Sequence, residues 1–181
     1  MPVRPALLTP GTPDGRAGAH TGTVAADVLY TARLVLVPVT ARDARAALAG
    51  ELAAAGAGWP PASTVATLRA GLEYGGALGW FVTADRVVVG DCGTHGTADA
   101  AGDLEIAYGI AAPYRRRGYA AEVVAALVGW ARSQPGVRRV VARRVRTDNV
   151  GSRRALERGG FAVDETGSRY VSYALPLRDG D

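Results

Sequence analysis

Residues 104–132 read LEIAYGI, then AAPYRRRGYA, then AEVVAALVGWAR. The first run predicts a strand over Asp103–Ile110, in which alternation sets Glu105 and Ala107 on one face and Ile106 and Tyr108 on the other. Pro113 and Tyr114 end it. The last run predicts a helix, because Val123, Val124, Leu127, Val128 and Ala131 recur on one face at helical spacing. Between them lies the start of that helix, where about four backbone N–H groups have no intrahelical partner and the dipole favours an anion. Gly118 supplies a permissive backbone, Ala120 allows close approach, and Arg115, Arg116 and Arg117 add positive charge. That chemistry suits a pyrophosphate. A solvated basic loop ahead of an ordinary helix would use the same residues.

Working outward, RLVLVPV (33–39) reads as a strand, and Thr40 as the cap of a helix running to about Ala55, with Asp43 in its first turn. Pro60 and Pro61 open the next segment, in which Ser63 caps a second helix ending near Tyr74. Strands are expected at Leu78–Thr83 and Arg86–Cys92 with a tight turn at Ala84-Asp85, and a polar turn over His95–Gly102. Beyond the central helix, Pro135-Gly136 is a break and Val137–Val145 a strand. Asn149 caps a short helix closed by Gly159-Gly160, and Phe161–Glu165 with Tyr170–Leu175 form a last hairpin. A meander followed by a β-α-β crossover implies an α/β chain of the α+β type, with a mixed sheet and helices on both faces. Residues 1–27, rich in Pro, Gly, Ala and Thr without an apolar period, read as a flexible or irregular arm, and 28–178 as one domain.

A chain of 181 residues holds one domain of ordinary size. It has no apolar run of the roughly 18 residues that a membrane span requires, and its first residues lack the apolar stretch of about 7–15 that a secretory signal needs, so neither a membrane protein nor a secreted one is expected. The expectation is a cytoplasmic protein with no membrane partner. Cys92 is the single cysteine, and His20 and His95 lie far apart, so neither a disulfide nor a metal site is expected. All 21 basic residues are arginine, which removes every lysine-based chemistry. Between Arg115 and Arg158 stand 12 arginines against three acids, Glu122, Asp148 and Glu157, a bias that suits a polyanion.

Arg115-x-x-Gly118-x-Ala120, after a strand ending Tyr108-Gly109-Ile110, resembles the coenzyme A signature of the GCN5-related N-acetyltransferase (GNAT) superfamily. Asn149-Val150-Gly151-Ser152 through Gly160-Phe161 is similar to the second cofactor motif of its ribosomal-protein-alanine acetyltransferase (RimJ/RimL-like) branch, and RLVLVPVTARDA to that branch's opening strand and helix. The resemblance extends over about residues 30–177. It implies a mixed, mostly antiparallel sheet of about seven strands flanked by four helices, in which the fourth and fifth strands, here Leu104–Ile110 and Val140–Val145, splay apart to hold acetyl-CoA as co-substrate. The pantetheine arm would bond backbone at Ile110, Ala111 and Ala112, and the pyrophosphate would sit on Arg115, Arg116, Arg117, Gly118, Tyr119 and Ala120. Asn149 would bond the pantetheine, cap the helix, or do both, and the Ile110 N–H would polarise the acetyl oxygen.

The implied reaction is attack of an amine on the thioester. An aliphatic amine with a pKa near ~10 is mostly protonated at neutral pH, so a general base is useful. Glu105 matches the position where such family members place a carboxylate and is the first choice, the alternative being an edge carboxylate paired with an arginine; His95 and Asp103 are weaker choices. Many family members place a tyrosine seven residues after the motif asparagine to protonate the leaving thiolate. Here that residue is Leu156; in the branch that the chain resembles a serine takes this role, and Ser152 matches it, which implies a hydrogen bond to the leaving sulfur or only a cap at the helix start. Trp59, Trp80, Tyr170 and Tyr173 are candidates to wall the acceptor cleft. A homodimer is compatible with this reading. The other readings are a catalytically silent CoA-binding sensor or scaffold and, more remotely, a nucleic-acid-binding domain; the latter lacks a stacking platform among Tyr114, Tyr119 and Trp130.

Overall fold

A computed structural model describes residues 27–75 and 78–177. Apart from Asp27, the expected arm lies outside the described residues. The elements are β1 (Leu29–Tyr30), β2 (Val35–Pro38), α1 (Ala41–Ala49), α2 (Ala62–Tyr74), β3 (Trp80–Ala84), β4 (Val87–Thr94), β5 (Asp103–Ile110), α3 (Tyr119–Arg132), β6 (Arg139–Arg146), α4 (Val150–Arg158), β7 (Ala162–Thr166) and β8 (Tyr170–Pro176). The strands form one sheet in the order β1-β2-β3-β4-β5-β6-β8-β7, antiparallel except for the β5–β6 pair. The sheet thus has eight strands where about seven were expected. The extra one is the two-residue edge pair Leu29↔Leu36 and Tyr30↔Val35, too short to leave a periodic signal.

Two helix boundaries also differ from the sequence expectation. α1 stops at Ala49 and not near Ala55, because Gly50 takes the left-handed conformation (φ 74°) and its N–H caps the Ala46 and Ala47 carbonyls. The chain beyond then runs beside β4, where Gly56 N–H bonds the Val88 carbonyl. A Cβ at Gly56 would lie 2.6 Å from that oxygen, so only glycine fits. In α2 the residue before the first turn is Pro61, not Ser63; its fixed φ and missing N–H suit that position, and Ser63 instead accepts from the Thr67 hydroxyl within the helix.

Alternation along β3 explains its complete burial. Trp80 and Val82 join the core under α3 and α4 with Val123, Leu127 and Leu156, whereas Phe81 joins a second core under α1 and α2 with Ala47, Trp59 and Leu68. Trp59 and Trp80 are therefore core residues, each meeting an aromatic edge-on, Phe81 and Trp130 respectively. Tyr173 is fully buried as well, and only Tyr170 of the four proposed cleft aromatics is exposed.

Two largely buried carboxylates are held by arginine. Asp103 accepts two hydrogen bonds from Arg139 and one from Arg143, at 2.7–2.9 Å. Glu122 accepts from Thr31 and Arg33. The Arg139 bonds hold the Asp103 pKa down against its burial, and at Glu122 burial pushes up but is outweighed by the Thr31 and Arg33 bonds. A carboxylate depressed in the folded state adds stability above its unfolded pKa of roughly 4 and loses it as pH falls through the folded value. Urea midpoints should accordingly be flat from about pH 7 to 5 and fall below about pH 4. Asp103→Asn should make that fall shallower; an unchanged acid limb would show that the pair contributes nothing.

Candidate active site

β5 and β6 are hydrogen-bonded only from Asp103↔Arg139 to Glu105↔Val141. Beyond that, β5 stays with β4 as far as Gly90↔Ile110, and β6 follows β8 through a bulge between Ala142 and Val145 in which Arg144 has φ 56°. The bulge turns β6 aside just past the last pair and opens a gap in the sheet. The Glu105 carbonyl and the Ala111 N–H bond β4 through His95 and Val89. Alternation therefore directs the backbone groups of Tyr108 and Ile110 into the gap. There the Ile110 carbonyl already accepts from Arg115 Nε at 2.8 Å. Ala111, buried and with its N–H spent on Val89, offers less than Ile110 does.

The loop leaving β5 folds tightly, with left-handed residues at Arg116 (φ 61°) and Gly118 (φ 83°), the latter capping α3. Among the described residues, no backbone or side-chain acceptor takes the N–H of Arg116, Arg117, Gly118, Tyr119 or Ala120. Five unspent donors stand at the start of a 14-residue helix, edged by exposed arginines, an arrangement whose chemistry suits an anion. The Tyr119 side chain packs into the core, which leaves only its backbone to the open side of the loop. Arg33 was not singled out in the sequence. It donates to Glu122 and to the Arg117 carbonyl and lies 5.0 Å over the Tyr119 ring, pinning the loop from behind.

Glu105 lies on the α1/α2 side of β5, half-buried, with its Oε2 3.6 Å from Arg143. Arg143 is closer to Asp103, at 2.9 Å, so its contact with Glu105 is loose. Asp103 is fully committed to two arginines and is unsuited to act as a base. Arg139, Arg143 and Arg146 all hold carboxylates of the chain itself, which accounts for part of the arginine excess without any polyanion.

At α4, Asn149 Oδ1 accepts from the Ser152 N–H, so the asparagine caps the helix. Leu156 is wholly buried in the core. Tyr108, which sequence reasoning assigned only to a strand face, reaches from β5 to Ser152, its hydroxyl 2.8 Å from Ser152 Oγ and 3.2 Å from the Ser152 carbonyl. Burial, partly offset by the Ser152 bond, lifts the phenol to about 12, so it stays a neutral donor. The signal was its face, opposite Glu105, but no spacing rule joins residues 108 and 152.

On the α1/α2 side a pocket of about 70 Å³ adjoins β5 at Ala107 and is bounded by Thr64, Thr67 and Leu68 of α2 and by Asp91 and His95. Cys92 also borders it, but burial raises its thiol pKa well above the ordinary value, which removes it as a nucleophile. No group of metal-ligating side chains and no helix long and apolar enough to cross a membrane occurs among the described residues.

Comparison with known proteins gives a consistent result. The family model described as an acetyltransferase (GNAT) domain matches residues 33–162. The uncharacterized N-acetyltransferase YjdG of Bacillus subtilis (strain 168) is 36% identical over 83 residues, which is 46% of this chain and about half (49%) of that relative's length. Among solved structures, a GNAT-family acetyltransferase from Bacillus anthracis superposes with a TM-score of 0.62 at 18% identity, covering 83% of this chain and 98% of that one. Mycobacterium smegmatis RimJ, in complex with CoA-disulfide, gives a TM-score of 0.60 at 23% identity, with 83% and 87% covered. At these identities the structural likeness speaks to the fold.

Proposed function

Because the chain belongs to the GNAT acetyltransferase family, we propose that it moves the acetyl group of acetyl-CoA directly onto a primary amine, of a small molecule or a protein N-terminus. The observation that carries this reading is the sheet opening after Glu105↔Val141, with five unspent N–H donors of residues 116–120 at its mouth. The CoA complex of a structural neighbour agrees with it. The donor set fits a pyrophosphate: converging backbone amides, a helix dipole and arginines, with no carboxylate at the loop except Glu122, which Arg33 neutralises.

Acetyl-CoA, when bound, supplies a thioester carbonyl open to attack. Glu105, on the acceptor side of β5, takes a proton from the incoming ammonium or amine, so that the nitrogen lone pair is free to form the new N–C bond. The Ile110 N–H, turned into the gap, donates to the acetyl oxygen as negative charge builds on it. Ser152 donates to the sulfur as the C–S bond breaks, and Tyr108 donates in turn to Ser152 Oγ, making the serine a better donor than it would be alone. Tyr108→Phe removes this one neutral hydrogen bond, worth about 0.5–1.5 kcal/mol. Its kcat should fall about 2- to 10-fold with acetyl-CoA affinity unchanged; full turnover in the variant would dismiss the relay.

The decisive experiment is a calorimetric titration with acetyl-CoA and dephospho-CoA at low and moderate salt. Saturable one-to-one binding that survives moderate salt is expected, weaker for dephospho-CoA if an arginine meets the 3′-phosphate. Absence of binding would overturn the reading.

A further inference from the structure

The turn between β1 and β2 reaches far beyond the two strands it joins. The Thr31 hydroxyl accepts from the Leu34 N–H at 2.9 Å, which fixes the turn, and donates to Glu122 Oε2 at 2.6 Å, which ties it to the first turn of α3. The Arg33 N–H donates to the same oxygen at 3.2 Å, and Arg33 Nε donates to Glu122 Oε1 at 2.7 Å. With both carboxylate oxygens engaged, the guanidinium has one position, and from there its Nη2 donates to the Arg117 carbonyl at 2.8 Å. A Cβ at Gly118 would stand 3.1 Å from Nη2, so the guanidinium lies directly behind the peptide that joins Arg117 to Gly118.

That contact decides which way a donor faces. A peptide unit is planar and trans, so its C=O and N–H point in opposite directions. Held on its carbonyl side by Arg33, this one turns the Gly118 N–H to the open side, among the other unspent amides. The loop needs such a hold. Arg116 is left-handed at φ 61°, and a residue with a side chain stays in that conformation only where its surroundings fix it. The bond of Arg115 Nε to the Ile110 carbonyl lies ahead of this turn, and Arg117 Nη2 reaches the Pro113 carbonyl only at 3.4 Å. Charge gives Arg33 a second effect. Glu122 is the one acid in the first turn of α3, and without the guanidinium beside it would repel an anion there. We propose that Arg33 is the positioning residue of the pyrophosphate loop: from behind, it aims the Gly118 N–H at the ligand and offsets the charge of Glu122. This rests on the transferase reading above and adds to it a residue that does not touch the cofactor.

The test titrates acetyl-CoA by calorimetry, and acetyl-pantetheine, which has the thioester but no pyrophosphate, by amide chemical shifts. Arg33→Met keeps an apolar stem over the Tyr119 ring and should bind acetyl-CoA at least roughly tenfold more weakly, as loss of a charged hydrogen bond requires. Its affinity for acetyl-pantetheine should be unchanged, because that ligand leaves the loop empty. Arg33→Lys keeps the charge but lacks the fork that spans Glu122 and the Arg117 carbonyl, and should show part of the same loss; it carries the comparison if Arg33→Met does not fold. Glu122→Gln still offers an oxygen to Arg33 Nε and removes the carboxylate, so it should bind acetyl-CoA at least as tightly as the wild type. An ion pair that served only the fold would make the two partners equally costly to lose. A matching loss in Glu122→Gln, or an equal loss of acetyl-pantetheine in Arg33→Met, would therefore overturn the proposal. Hydrogen exchange in the free chain supplies a readout without ligand. The amides of Ala121 and Glu122, both bonded to the Gly118 carbonyl, should exchange faster in the Arg33 variants, and unchanged rates would likewise overturn it. Failure of acetyl-CoA to bind the wild type would overturn the transferase reading instead, and exchange would still judge Arg33.

Discussion

Glu105→Gln should lower kcat by about 10²–10⁴-fold, the contribution of a positioned general base, and leave acetyl-CoA affinity unchanged. The alternative role of Glu105 is its contact with Arg143 at 3.6 Å, and the two roles predict different sizes of effect. A partly exposed ion pair is worth about 0–1 kcal/mol, too little to change turnover by orders of magnitude and enough only to shift the melting temperature slightly. Glutamine keeps the side-chain shape and removes only the basicity. Steady-state kinetics beside calorimetry separate the cases: normal binding with full turnover would remove Glu105 as the base. Since the substrate amine is mostly protonated at neutral pH, the loss should be largest there and shrink as pH approaches ~10 and the amine deprotonates in solution.

Leu127→Ala is the substitution expected to cost most in stability. Leu127 is wholly buried at the centre of α3 against the sheet. Truncating such a leucine typically costs about 2–5 kcal/mol, from lost transfer energy and the cavity left behind. For a chain of this size that corresponds to a drop of roughly 4–20 °C in melting temperature. The same helix carries the unspent amides proposed to hold the pyrophosphate, so acetyl-CoA should restore part of the loss in proportion to its occupancy. Thermal melts with and without acetyl-CoA measure both. A variant that melts with the wild type would mean that the helix face has repacked without a void.

Where side-chain periodicity decides structure, the sequence was readable. β5 begins and ends at Asp103 and Ile110 as alternation required, and the apolar stripe of α3 is the stripe that is buried. The misjudged boundary at Gly50 shows the limit: an alanine-rich stretch continues the helical pattern, and one left-handed glycine ends it. For the candidate site, the loop of residues 115–120 was legible because its chemistry is local in sequence. Tyr108 against Ser152 was not, because the pair depends on how a strand and a helix are brought together. Arg33 was hidden for the same reason, its partners Glu122 and Arg117 lying some eighty or more residues away.

The opening between β5 and β6 has a consequence for solvent exchange. Past Glu105↔Val141, the amides of Tyr108 and Ile110 belong to a strand that is otherwise locked to β4 but have no partner on the open side. In a rigid sheet they should trade deuterium quickly in the free chain, while their neighbours Ala107 and Gly109, bonded toward β4, trade slowly. An alternating fast–slow pattern along one central strand is thus written into the fold. When a ligand's amide groups line the gap as a substitute strand, the fast positions should slow and the pattern should vanish, so the protein carries its own residue-level reporter of cofactor occupancy.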